Sequence, residues 1–291
     1  MMQSRMNPSA NQRIAKKLDE AAELLSAQGA NPFRVTAYRK AADTVEGLDL
    51  DLTQILENEG VEGLIALPTI GRSIASAIRE MVTSGRWSQL ERLRGTLDAG
   101  ALLQTVPGIG AALAAHIHDE LHVDTLEQLE AAAWDGRLES LPGIGERRLQ
   151  GIRASLSSML ERTHRRGATR LDDGPDIRTL LDIDREYRDL AEAGKLPTIA
   201  PKRFNPAAEA WLPVLHRERD GWHFTALYSN TALAHKLDRV RDWVVIYFFA
   251  DDQEEGQHTV VTETRGALQG QRVVRGREAE CRSLYARTIA R

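Results

Sequence analysis

Three stretches of the chain share one wording: LPTIG at Leu67–Gly71, VPGIG at Val106–Gly110 and LPGIG at Leu141–Gly145. In each, proline fixes one backbone angle and glycine opens conformations that other residues avoid. The isoleucine is an apolar pin, and a helical pattern begins after the last glycine. The first turn of a helix carries N–H groups with no internal acceptor. An anion such as a phosphate suits that place. Backbone amides hold a phosphate without reading a base, so the chemistry expected is a sequence-independent grip on nucleic-acid backbone. Gly71, Gly108, Gly110, Gly143 and Gly145 build the turns. The cations beside them differ. Arg147 and Arg148 follow the third, Arg72 follows the first, and Ala111-Ala112 follows the second. The expected order of grip is the third, then the first and second.

Few other residues point to chemistry. Asp182-Ile183-Asp184 lies in a helical pattern and runs into REYRD, not into the apolar strand that would seat metal-holding carboxylates. Asp251 and Asp252 close the apolar run WVVIYFFA, and Glu263-Thr264-Arg265 follows within the next predicted hairpin. A carboxylate at a strand end before a Glu-x-Lys strand is a metal-nuclease pattern, here with Arg in place of Lys. A metal-dependent nuclease is therefore one alternative reading, and a protein-interaction scaffold whose hairpins only pack is the other. His216, His223, His235 and His258 are scattered, and no metal site or catalytic residue is assigned from them. The single cysteine, Cys281, excludes an internal disulfide and a multi-cysteine zinc site. Net charge is −4, which argues against a wholly basic coat and allows a local basic face. No apolar run reaches membrane-span length, and the polar N-terminus has no signal-peptide core.

The elements that carry these residues read as follows. The first twelve or so residues are polar and expected to be disordered. Helices are predicted over Asn11–Gln28, through a stripe of Phe33, Ala37, Tyr38, Ala41 and Val45, and over Leu52–Glu59. The second repeat's helix reaches about Leu121, Thr125 to Gln128 fits a capping box, and the third repeat's helix ends near Arg162. The segment 163–176 is polar, with two Gly and a Pro, and reads as a boundary. Beyond it, the pattern is one helix, a hairpin about Asp220-Gly221, a fully apolar strand Trp243–Ala250 and a second hairpin. An antiparallel sheet of four or five strands is expected there. Arg265, Arg272, Arg275 and Arg277 could line an edge of that second hairpin, either as a phosphate-binding face or as guards of an edge strand.

Pro-x-Ile-Gly between two short helices is the helix-hairpin-helix motif. The order NQRIAKKLDEAAELL, NPFRVTAYRKAADTV, LPTIGRSIASAI resembles the N-terminal lyase-type domain of family X DNA polymerases. The VPGIG and LPGIGE region that follows resembles the two-hairpin region of bacterial members. The likeness covers roughly Asn11–Leu160. It implies that the Arg34, Tyr38, Arg39 and Lys40 region meets the phosphate on the 5′ side of a gap. It also implies that a hairpin can hold a monovalent cation on its carbonyls. Thr69 departs from the family's glycine, which puts close backbone approach at the first hairpin in doubt. The family's Schiff-base lysine lies six residues past the second glycine of the first hairpin, which is Ala77 here. No lysine stands between Lys40 and Lys195. The chain after residue 175 is too short for palm and thumb, and no phosphoesterase histidine pattern occurs.

The expected architecture is multidomain: an all-α half, then a small α+β domain with an antiparallel sheet. Its parts are a helical domain over 11–95, tandem hairpins over 100–163, a linker over 164–175 and the α+β domain over 176–291. The expected role is sequence-independent binding of gapped, nicked or double-stranded DNA in repair or recombination, without lyase or polymerase activity. No cofactor is required in this reading. A protein partner through the C-terminal domain and a bacterial cytoplasmic, nucleoid location complete it.

Overall fold

The structure, a computed structural model, describes residues 9–96, 99–160, 174–250 and 255–289. The chain divides into two compact units, one ending at Leu93 and one beginning at Arg94.

The first unit is helical: α1 (Ala10–Ala27), α2 (Pro32–Glu46), α3 (Leu52–Ile65), α4 (Arg72–Ser84) and α5 (Ser88–Arg94). The described chain is ordered into α1 earlier than its polarity suggests. Ser9 accepts from the Gln12 amide and Gln12 reaches back to Ser9, a full capping box. Asn11 is buried, donating to the Leu50 carbonyl (2.8 Å) and accepting from the Leu52 amide (3.0 Å). Gly60, at φ 67°, breaks α3 just past the predicted end at Glu59. The core runs from Ile14, Leu18 and Leu25 through Tyr38, Val45 and Leu64 to Ile78 and Trp87. The stripe of α2 differs from the expected one. Val35, Tyr38, Ala41, Ala42 and Val45 are buried, whereas Phe33 is 85% exposed and Ala37 is exposed.

The second unit opens with α6 (Ala99–Leu103), α7 (Ala111–Leu121), α8 (Leu126–Trp134) and α9 (Glu146–Leu160) around Leu102, Ile117, Leu129, Ile152 and Leu156. Thr125 and Gln128 form the capping box of α8. After α10 (Ile177–Glu192) come six strands in one antiparallel meander: β1 (Thr198–Ile199), β2 (Leu212–Arg219), β3 (Trp222–Tyr228), β4 (Val244–Phe249), β5 (Gly256–Thr262) and β6 (Arg272–Val274). Two short helices, α11 (Ala232–Lys236) and α12 (Glu278–Ile289), complete it. Arg219 faces Trp222 across the Asp220-Gly221 turn, where both turn residues have positive φ.

Tyr187 on α10 ties helix to sheet. Its hydroxyl donates to the Pro213 carbonyl (3.0 Å) and accepts from the Tyr228 amide (2.8 Å). Asp184, fully buried on α10, accepts from Arg272 of β6, which also donates to Asp242. The opposite face of the sheet meets the tandem hairpins: Tyr247 of β4 donates from its hydroxyl to Asp124, between α7 and α8. Thus the α+β part and the hairpin pair share one compact unit. The expected linker at 164–175 lies mostly outside the described residues, as do Asp251 and Asp252.

Candidate nucleic-acid interface

The three turns have one geometry. The isoleucine amide donates three residues back in each: Ile70 to Leu67 (3.3 Å), Ile109 to Val106 (3.1 Å) and Ile144 to Leu141 (3.3 Å). Proline occupies the second position and a positive-φ residue the third, the pattern of a type II turn. That third residue is Gly108 (φ 90°) and Gly143 (φ 86°) in two turns, and Thr69 (φ 63°) in the other. Thr69 holds this costly backbone with its hydroxyl, which bonds to Thr44 Oγ1 (2.8 Å) and donates to the Lys40 carbonyl (3.2 Å). The three isoleucines are buried, each contributing about 1.5–3 kcal/mol to pinning its turn.

Beyond each pin the chain exposes its amides. Gly71 and Gly110 are extended N-caps without a side-chain cap bond. The helical ladder starts with Ala75 to Gly71 (2.9 Å) and Ala114 to Gly110 (2.9 Å), and in the third hairpin with Arg148 and Leu149 to Gly145 (2.9 and 3.0 Å). The N–H groups of residues 72–74, 111–113 and 146–147 have no acceptor among the described residues. These are the donors a phosphate would take.

The flanking charges set the three apart. Arg147 and Arg148 are exposed and, with Gly143, Gly145 and Glu146, line an open depression at the third turn. Arg148 also braces the turn, donating from Nη1 to the Gly143 carbonyl (2.7 Å). Glu146, which the residue pattern had not singled out, places a carboxylate in the same depression and accepts from Gln150 (2.7 Å). Among the described residues, Arg72 at the first turn makes only a loose, exposed pair with Glu62 (3.9 Å). Ala111 and Ala112 at the second are exposed and uncharged.

The upstream patch separates into two classes. Arg39 and Lys40 are exposed on α2. Arg34 is 7% exposed and Tyr38 3%, so both face inward and neither presents a surface for DNA. Tyr38 packs beside Trp87 and donates to Gln89 (2.9 Å). Phe33 takes the outward place instead, on the face that continues through Ala37 and Lys40 to the Thr69 turn. Ala77 is buried in the core face of α4.

The nuclease pattern meets a different geometry. Strand β5 ends at Thr262, so Glu263 and Arg265 lie in the following turn rather than in a strand. Glu263 accepts from the Thr264 and Arg265 amides and from Arg275 (2.8 Å). The backbone bond from Thr264, with the Arg275 pair, holds its carboxyl below the usual range. Arg272, Arg275 and Arg277 are each paired with acids: Asp184 and Asp242, Glu263, and Glu280. Among the described residues, no three His, Cys, Asp or Glu side chains are placed to share a metal ion. No described helix is long and apolar enough to cross a membrane.

Comparison with known proteins follows the same division of the chain. Residues 9–87 match the family described as a helix-hairpin-helix domain, and residues 101–158 match the SAM-like helix-hairpin-helix tandem. The DNA polymerase/3′-5′ exonuclease PolX of Bacillus subtilis (strain 168) is 31% identical over 144 residues, 49% of this chain and 24% of that protein. The chain thus spans about a quarter of the length of that curated relative. Its N-terminal half is similar to the helix-hairpin-helix region of family X polymerase-like proteins.

Proposed function

We propose that this protein binds DNA without sequence preference, gripping backbone phosphates with the amides of its hairpins. The third hairpin supplies the main grip. The observation that carries this reading is the threefold recurrence of one turn, each with a buried isoleucine and unpartnered helix-start amides. Arg147 and Arg148 put two side-chain cations at the third, against one, Arg72, at the first and none at the second. Arg72, Arg39 and Lys40 give the first unit a contact of its own, with Phe33 outward beside them. Gapped or nicked DNA is the favoured form, repair or recombination the setting, and the bacterial nucleoid the location. Each of these rests on likeness to the polymerase region. With Ala77 in place of a lysine amine, the chain lacks the nucleophile for Schiff-base chemistry at that position, and the reading includes neither lyase nor polymerase activity. A monovalent cation on the carbonyls of a hairpin is compatible with it.

The test is Arg147→Ala/Arg148→Ala in a fluorescence-anisotropy titration across salt. Affinity should fall alike for every DNA sequence, and the slope of log affinity against log salt should shrink by about 2, roughly 0.9 per lost phosphate contact. Unchanged affinity and slope would move the grip elsewhere.

A further inference from the structure

The loop between β1 and β2 and the short helix α11 build a cluster that the hairpins do not use. Phe204 is 47% exposed and sits at φ 52°, a backbone region costly for a bulky residue. Such strain persists only where surroundings enforce it, and it gathers at functional positions. The enforcing contacts are visible. The Phe204 ring packs on His235 of α11, with centroids 4.3 Å apart. Asn230 locks both partners: its Nδ2 donates to the Arg203 carbonyl (3.0 Å), and its Oδ1 lies 2.6 Å from His235 Nε2. Arg203 places its guanidinium 5.2 Å from the Phe204 centroid. Asp119 of α7 anchors the assembly, accepting from the Ala232 amide (3.3 Å) and lying 4.0 Å from Arg203.

The segments that carry the two rings hold more bases than acids. Lys202 and Lys236 are exposed and make no ion pair among the described residues. Burial, with Arg203 nearby, lowers the pKa of His235 and favours its neutral ring. Asp238 and Glu209 are the exposed acids on the same two segments. An exposed aromatic ring amid cations is the means by which proteins hold single-stranded nucleic acid: the base stacks and the cations follow the backbone. The cluster is tied to the hairpin pair through Asp119 of α7. Asp119 is eight residues along α7 from Ala111, roughly 12 Å at the helical rise.

We infer that Phe204, supported by His235 and flanked by Lys202, Arg203 and Lys236, is a stacking platform for an unpaired base of a DNA strand held by the neighbouring hairpins. This gives the C-terminal sheet domain a role in recognising gapped over fully paired DNA. It rests on the DNA-binding reading above.

The experiment uses the full chain and three labelled probes: a paired duplex, a nicked duplex and a duplex with a short single-stranded gap. A 2-aminopurine placed in the gap reports stacking. Phe204→Leu keeps apolar bulk without a ring, Phe204→Tyr restores a ring, and a melting curve confirms that each variant is folded. Stacking predicts that Phe204→Leu loses about 5- to 150-fold on the gapped probe, leaves the paired duplex unchanged and abolishes the 2-aminopurine response, while Phe204→Tyr restores both. Wild-type binding to the paired duplex with no effect of Phe204→Leu on the gapped probe overturns this inference alone. An equal loss on all three probes also overturns it, since no unpaired base would then be read. No wild-type binding to any probe overturns the hairpin reading and this inference together.

Discussion

Tyr247→Phe removes one hydroxyl from the seam between the sheet and the hairpin pair. In the native protein that hydroxyl donates to Asp124, whose other oxygen lies 2.8 Å from His118 Nδ1. Asp124 is 4% exposed and Tyr247 3%, so water does not replace the lost donor freely. A hydrogen bond to a charged group contributes about 1.5–3 kcal/mol, and a buried acceptor that loses its donor bears the full desolvation cost. For a unit of nearly two hundred residues, each kcal/mol moves the melting temperature by about 2–4 °C, so the expected drop is about 3–12 °C. Differential scanning calorimetry of the full chain measures it. The transition that falls should carry the hairpin pair and the sheet together, because the two share one compact unit. Asp124→Asn should be destabilising too, and the double variant should cost less than the sum, since both remove the same interaction. A Tyr247→Phe protein with an unchanged melting temperature, or with hairpins and sheet melting separately, would refute the reasoning.

Gly143→Ala forces a side chain onto φ 86°. It should cost about 1–3 kcal/mol and weaken DNA binding, read from a melt and a titration. Phe33→Ser should leave the melting temperature unchanged, because the ring is 85% exposed, whereas Tyr38→Ser should destabilise the first unit by about 3 kcal/mol or more and lower its melting temperature. Acid should weaken the second unit. Burial lowers His122 and His258 to about 4, so the unfolded chain takes up protons first. Their stabilising share is complete above the ordinary value of 6.5 and is lost as pH falls from there to about 4, by up to about 3 kcal/mol each. His118 acts in the other direction. Burial opposes its protonation, but the charge and hydrogen bond of Asp124 outweigh burial and raise its pKa. Its contribution is full below 6.5 and is lost as pH rises through the raised folded value. Melts across pH should show the acid loss diminished in His122→Gln and the alkaline loss removed in His118→Gln.

Much of this architecture is legible in the residues because local chemistry decides it. Pro-x-Ile-Gly specifies its turn, Thr125 and Gln128 cap α8, and Asp220-Gly221 joins two strands. The phase of α2 was not legible in the same way. Phe33 is the obvious apolar residue near its start, yet Arg34 falls four residues before Tyr38 and seven before Ala41, on the buried side. Strands β1 and β6 are too short to show an alternating pattern. The Asp184–Arg272 and Asp124–Tyr247 contacts join residues about ninety and more than a hundred positions apart, so no local pattern announces that hairpins and sheet form one unit. Glu146 shares the depression of Arg147 and Arg148, but one acid beside two arginines carries no spacing signal of its own.

The most direct measurement of the central claim is the amide spectrum of 15N-glycine-labelled protein during titration with short duplexes of two unrelated sequences. Backbone gripping predicts that the Gly71, Gly110 and Gly145 resonances move, Gly145 at the lowest DNA concentration, with the same pattern for both sequences. Resonances of these three glycines that stay fixed while the protein binds DNA would contradict the account.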